Sequence, residues 1–206
     1  MFRISGVSKR EGARSRALLG LAAVLLLAAP PSRAESSAHA DEPNVAVEDA
    51  KPGCRVRGTF RAPVSQSIAW EVLTDYDHID KFVSSMRESR VERRTKDSLL
   101  VRQDAISSFF IVHHRVQVLL DVQENPTSRI AFHDVLRKDF RTYTGGWQVA
   151  TDSTQTMVTY ELTAEPSISV PRRVCRGMLR GVARDLLSQV RAEMMRRAHR
   201  PEEYEP

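Results

Sequence analysis

Three kinds of side chain in this 206-residue sequence are of types that do chemistry: the pairs His113-His114 and His133-Asp134, the two cysteines Cys54 and Cys175, and Tyr160. Histidine, with an ordinary pKa of about 6.5, is the commonest acid–base group. His113 and His114 are neighbours in an alternating stretch, so only one of them faces inward. Glu124-Asn125-Pro126-Thr127-Ser128 reads as a hairpin turn that sets Val122 opposite Arg129 or Ile130. His133 then falls opposite residue 118 and His114 opposite residue 137. An offset of four residues at about 3.3 Å each keeps His114 and His133 more than about 10 Å apart. Two ligands of one zinc ion must each lie about 2.1 Å from it. No metal site is expected. His114 is left as a polar group or acid–base in a pocket, against a partly exposed strand histidine.

No nucleophile stands out. Gly-x-Ser-x-Gly and glycine-rich phosphate loops do not occur in the sequence, and no cofactor is expected. Cys175 has no histidine near it in sequence. Cys54 and Cys175 read either as a disulfide or as two buried, unreactive thiols, and their spacing does not choose between these. Tyr160 is the second acid–base candidate. Trp70, Phe110, Trp147 and Tyr160 suit a ligand cavity or an ordinary core equally.

The elements that must position these groups begin after the N-terminus. Arg3, Lys9, Arg10, Arg14 and Arg16 precede an apolar run from Ala17 to Ala29, then Pro30-Pro31 and Ser32-Arg33-Ala34. That is the layout of a secretory signal peptide over residues 1–34. Its thirteen apolar residues are fewer than the roughly 20 that cross a bilayer. The expected location is periplasmic or extracellular, where disulfides persist. Residues 1–34 hold six of the 31 Lys and Arg and one of the 26 Asp and Glu, leaving 25 of each. The remaining chain is neutral, so bulk charge gives no support to nucleic-acid binding.

Residues 35–52 are polar and read as a flexible leader. Arg55–Phe60 alternates as a strand. Ser65 is suited to cap a helix through Ile68, Ala69, Val72 and Leu73, and Ile79–Val83 reads as a second short helical turn. Six strands follow, at Arg87–Arg94, Ser98–Ala105, Phe109–Val122, Arg129–Val135, Phe140–Ala150 and Thr154–Ala164. Residues 114, 116, 118, 120 and 122 form one face, mostly Val or Leu, which suggests an antiparallel sheet with one dry side. Gly145-Gly146 suggests a bulge or a close backbone approach.

A long helix closes the chain, from Pro171 to about Arg200. Val174, Met178, Val182, Leu186, Val190 and Met194 recur every fourth residue, with Cys175 and Leu179 beside them. Arg173, Arg176, Arg180, Arg184 and Arg191 fall on another side. The helix alone can be a lid on a pocket, a basic surface helix or part of a coiled coil. The sheet supplies a partner for its apolar stripe, which favours the lid and leaves the arginines as a solvated back or a contact to an anionic membrane surface. Gly177 and Gly181 inside it suggest a close approach to another backbone, in preference to a flexible lid. Residues 200–206 read as an acidic tail.

This order of elements resembles the helix-grip fold of the START and pollen-allergen superfamily, in the polyketide cyclase/dehydrase and lipid-transport branch that includes coenzyme-Q-binding START proteins. The resemblance rests on Phe60-Arg61-Ala62-Pro63, on Trp70-Glu71-Val72-Leu73-Thr74-Asp75-Tyr76 followed by Phe82-Val83, and on Asp139-Phe140 before Gly146-Trp147. Thr159-Tyr160-Glu161-Leu162 with Pro166 and Pro171 completes it. It covers roughly residues 54–198. It implies an α+β fold over residues 53–199: a seven-stranded curved antiparallel sheet, two short helices after the first strand, and the C-terminal helix packed across the sheet. It also implies a cavity for an apolar small molecule such as a lipid, quinone, sterol or polyketide. The expected lining is Trp70, Phe82, Arg102, Phe110, His114, Trp147, Tyr160, Met178, Val182 and Leu186. The expected role is binding by a monomer. The alternatives are a cyclase or dehydratase using His114 or Tyr160, and a membrane-surface or protein-interaction module using the arginines. In the implied fold the first strand begins where the last helix starts, which brings Cys54 and Cys175 together as a disulfide.

Overall fold

The structure is a computed structural model that describes residues 42–109, 112–152 and 154–199, without the side chains of 107–109 and 112–114. Eight strands form one antiparallel sheet. In chain order they are β1 (Asn44–Asp49), β2 (Cys54–Ala62), β3 (Met86–Arg94), β4 (Leu99–Phe109), β5 (Val112–Asn125), β6 (Arg129–Asp134), β7 (Phe140–Thr151) and β8 (Thr156–Pro166). Their order across the sheet is β1-β2-β8-β7-β6-β5-β4-β3. Between β2 and β3 lie α1 (Gln66–Thr74), a 3-10 turn (Tyr76–His78) and α2 (Ile79–Phe82), and α3 (Arg172–Ala198) follows β8. This is the α+β, START-like fold, with one strand more than the seven expected. The additional strand is β1, which lies inside the stretch read as a flexible leader. It pairs with β2 without a break from Asn44↔Thr59 to Asp49↔Cys54.

Local sequence explains the elements. Ser65 caps α1, its hydroxyl accepting from the Ile68 N–H, which meets one of the unpaired amides of a first turn. β2 buries every second residue, from Cys54 through Val56, Gly58 and Phe60 to Ala62, as period-2 side chains on a one-sided sheet must. The β5–β6 hairpin closes as Asn125↔Arg129, with Asp121 opposite His133. The register is therefore displaced by three residues from the expected one, and His114 pairs with Ser107 of β4 instead. His133 and His114 stand seven residues apart along β5, about 23 Å at the usual strand rise. Gly145 and Gly146 sit in unbroken register, so they make no bulge. A Cβ on Gly146 would overlap the Ile130 carbonyl oxygen, which is the close approach that needs a residue without a side chain.

The helix α3 packs over β1 and β2. Its most buried line is Cys175, Leu179, Ala183, Leu187, Val190 and Met194, one position round from the stripe at 174, 178, 182 and 186. A strict four-residue repeat turns about 400°, so it drifts about 40° per step off the seam. A three-residue step at 187 to 190 corrects the drift. Gly177 and Gly181 face open space, so they mark no close approach. That approach lies across the sheet, where Leu187 meets Gly58. No helix among the described residues is long and apolar enough to cross a membrane.

Two ties fix the ends of α3. A disulfide joins Cys54 at the start of β2 to Cys175 in the first turns of the helix, with Cα atoms 6.6 Å apart. At the other end Arg197 donates to Glu71 of α1 at 2.8 Å, to Asp75 at 2.6 Å and to Glu193 at 2.7 Å. Between them the Gln189 side chain accepts from the Ser84 N–H at 2.6 Å, which holds the segment after α2 against the helix.

Candidate functional site: a cavity between sheet and helix

Inward side chains of β4 to β8 and one flank of α3 enclose a cavity of about 210 Å³. The helix lies over β1 and β2, so the inner face of the remaining strands is only partly covered and space is left beside it. The walls are Val116, Val118, Leu120 and Val122 of β5, Ile130 and Phe132 of β6, Leu162 of β8, and Met178, Val182 and Leu186 of α3. Ile79, Val83 and Met86 close the side next to α2. Val182 lines the cavity and is also 44% exposed, which puts the mouth beside it.

No Lys, Arg, His, Asp or Glu lines this cavity among the described residues. Its polar groups are Tyr76, Ser85, Gln103, Tyr143 and Tyr160, and most have protein partners. Tyr76 donates to Glu124 at 2.8 Å. Gln103 donates to Ser89 at 3.3 Å. The hydroxyls of Tyr143 and Tyr160 interact with each other, and the Tyr160 ring lies 4.5 Å, centroid to centroid, from Trp147. Burial pushes the Tyr143 phenol up to about 12, with the negative charge of Asp134 adding to it, against a hydrogen bond from Tyr160. Burial also raises Tyr160 well above the ordinary tyrosine range, reinforced by Tyr143. Burial and the Glu124 carboxylate do the same for Tyr76. All three are neutral donors at physiological pH, and none is a ready proton acceptor.

The structure brings together Trp147, Tyr160, Met178, Val182 and Leu186 of the residues expected to line the site. Three others lie elsewhere. Trp70 of α1 packs against the core outside the cavity. Phe82 borders a separate polar groove between α1, α2 and the last turns of α3, with the Arg197 guanidinium 5.9 Å from its ring centre. Arg102 points to the opposite face of the sheet, where it binds Glu92 of β3, because β4 alternates and Gln103 and Ala105 take the inward positions. Phe110 lies outside the described residues, and His114 is described only by its backbone pairing.

Sequence reasoning missed Tyr143, Tyr76 and Gln103. The alternation of β7 carried the signal for Tyr143, which lies four residues before Trp147 and so on the same face. Arg102, read as inward, is the odd-numbered Gln103's neighbour and shows that the register of β4 was the missing fact.

The comparisons with known proteins agree with this architecture. The family model described as polyketide cyclase / dehydrase and lipid transport matches residues 62–191. No curated protein matches the sequence. Among solved structures, the STAR-related lipid transfer protein from Xanthomonas axonopodis is similar, with TM-score 0.61, 18% identity, and coverage of 74% of this chain and 93% of that one. Human StAR-related lipid transfer protein 5 gives TM-score 0.59, 12% identity, and coverage of 75% and 83%. The Zhui aromatase/cyclase from Streptomyces sp. R1128 gives TM-score 0.56, 15% identity, and coverage of 76% and 96%. At these identities the structural likeness speaks for the fold. The family match spans more than half of the sequence, and the chain belongs to the polyketide cyclase/dehydrase and lipid-transport family.

Proposed function

We propose that this protein binds an uncharged, apolar small molecule between the sheet and α3, and that it does so after export from the cytoplasm. The observation that carries the reading is the lining itself, largely apolar and without a described Lys, Arg, His, Asp or Glu. Burying an unpaired carboxylate or ammonium there would cost several kcal/mol or force it to neutralise. A neutral molecule suits this lining instead, with Tyr143 and Tyr160 as the phenols that face it, since the Tyr76 hydroxyl is donated to Glu124. A lipid tail, a quinone or a polyketide ring all meet that description. An engineered cavity of about 150 Å³ already takes a benzene ring, so 210 Å³ suits a ligand of ring-system size or one segment of a longer lipid.

Binding is favoured over catalysis because Tyr76 and Gln103 are tied to Glu124 and Ser89 outside the cavity and burial holds the phenols neutral. The signal-peptide pattern at residues 1–34 and the Cys54–Cys175 disulfide support export. Native mass spectrometry of the protein purified from the exported fraction tests the reading. It is expected to show one non-covalent neutral adduct that organic extraction removes. An adduct bearing a fixed negative charge seated in the cavity would overturn it.

A further inference from the structure

The two edges of the sheet are unlike. β3 carries six charged residues in nine, Arg87, Glu88, Arg90, Glu92, Arg93 and Arg94, and its pairing shifts register twice. Charges and bulges are how natural sheets keep an edge from pairing with another chain. β1 has no bulge, and its only charges are Glu48 and Asp49 at its end. Asn44, Val45, Ala46 and Val47 are uncharged, and its pairing with β2 is continuous. Its acidic end is already engaged: Asp49 meets Arg172 and Arg176, both at 3.7 Å, and Glu48 meets Arg55. Among the described residues β1 has no neighbour on its outer side.

A row of arginines overhangs that edge. Arg176 reaches Asp49 of β1, which shows that this flank of α3 faces the strand. One turn after another, Arg180 and Arg184 lie about 40° and 80° further round the helix than Arg176, and Arg173 about 60°. All three are exposed, and none has an ion-pair partner among the described residues. Val182, at the cavity mouth, lies on the opposite flank. A membrane reached through these arginines would therefore leave the mouth facing away from it.

We infer that the open edge of β1, with the Arg173, Arg180 and Arg184 row above it, docks an extended acidic peptide of a partner protein as a ninth strand. Main-chain hydrogen bonds to β1 would supply the pairing, and carboxylates on alternate residues, those facing α3, would meet the guanidinium groups. The arrangement is independent of what the cavity holds.

The test uses the chain from residue 35 onward and the synthetic peptide acetyl-Glu-Thr-Glu-Thr-Glu-Thr-Glu-amide, followed by amide exchange and NMR shifts. The expected result is slowed exchange at residues 44–49 and shifts along Arg173–Arg184. Affinity should fall at least tenfold for Arg180→Glu/Arg184→Glu and weaken with salt. A peptide with proline in place of threonine keeps the charge but cannot pair as a strand. It should bind the unaltered protein at least tenfold more weakly, a result that does not depend on any variant folding. Equal binding of the proline peptide would overturn the proposal, as would arginine-dependent binding to phosphatidylglycerol vesicles without any peptide effect at β1.

Discussion

Leu187 of α3 sits on Gly58 of β2: a Cβ at position 58 would overlap Leu187 Cδ1 and lie 3.6 Å from Val45 Cγ2. Leu187 is fully buried, so its side chain has nowhere to yield. Gly58→Ala is expected to destabilise the fold by about 1–3 kcal/mol, as overpacking does, and Leu187→Ala by about 2–5 kcal/mol through the cavity it leaves. Gly177→Ala and Gly181→Ala meet open space and should each stabilise by up to about 1 kcal/mol. Urea midpoints of the four variants check this. A neutral Gly58→Ala would mean that the helix does not approach β2 there.

The Cys54–Cys175 disulfide spans a sequence separation of 121. Closing so long a loop contributes about 4–5 kcal/mol in the chain-entropy model. Cys54→Ala/Cys175→Ala should lower the thermal midpoint clearly, and the unreduced protein should take up no alkylating reagent until reductant is added. Alkylation of both thiols without reductant would contradict the pairing.

At the far end of α3, acid should loosen the tie around Arg197. Hydrogen bonds from Arg196 hold the Glu193 carboxyl below its ordinary value against its burial, with Arg197 adding to them. For Asp75 burial pulls upward, but His78 and Arg197 together outweigh it. A carboxylate with a lowered folded pKa stabilises above its unfolded pKa of about 4, and that contribution is lost as pH falls through the folded value. Stability should hold from neutral pH to about 5 and then decline. Arg197→Met should reduce stability at pH 7 and flatten that decline. An unchanged acid profile in the variant would remove Arg197 from the explanation.

The phenols give the alkaline counterpart. Tyr143 is pushed up to about 12 and Tyr76 and Tyr160 are raised as well. A raised pKa stabilises below the unfolded value of about 10 and is lost as pH rises through the folded value. Absorbance at the phenolate band should show at most one of the four tyrosines titrating near pH 10 before the protein unfolds. Titration of three or four at that pH would mean that these side chains are solvated.

Most elements were legible because period-2 and period-3.6 patterns are local. β2, α1, β6 and α3 fall within a few residues of where alternation, the Ser65 cap and Pro171 put them. β1 was not legible. Val45 and Val47 are two apolar residues in a polar stretch, and only pairing with β2 makes them a strand. The site was half legible for the same reason. Trp147, Tyr160 and the α3 flank follow from patterns within single elements. Arg102 was misplaced because its direction depends on the registers of β3, β4 and β5, which are non-local. The histidines were misplaced by the same kind of fact, because the β5–β6 hairpin at Asn125 closes three residues away from the expected register.

The central claim is that the cavity selects an apolar and uncharged ligand, and two fluorescent probes of nearly equal shape decide it. N-phenyl-1-naphthylamine is neutral, and 1-anilinonaphthalene-8-sulfonate carries a sulfonate. The neutral probe should bind with energy transfer from Trp147, and at least tenfold more tightly than the sulfonate. Ala105→Trp, which fills the cavity from β4, should abolish that binding while the protein stays folded. Equal binding of the two probes, or binding of the neutral probe untouched by Ala105→Trp, would contradict the account.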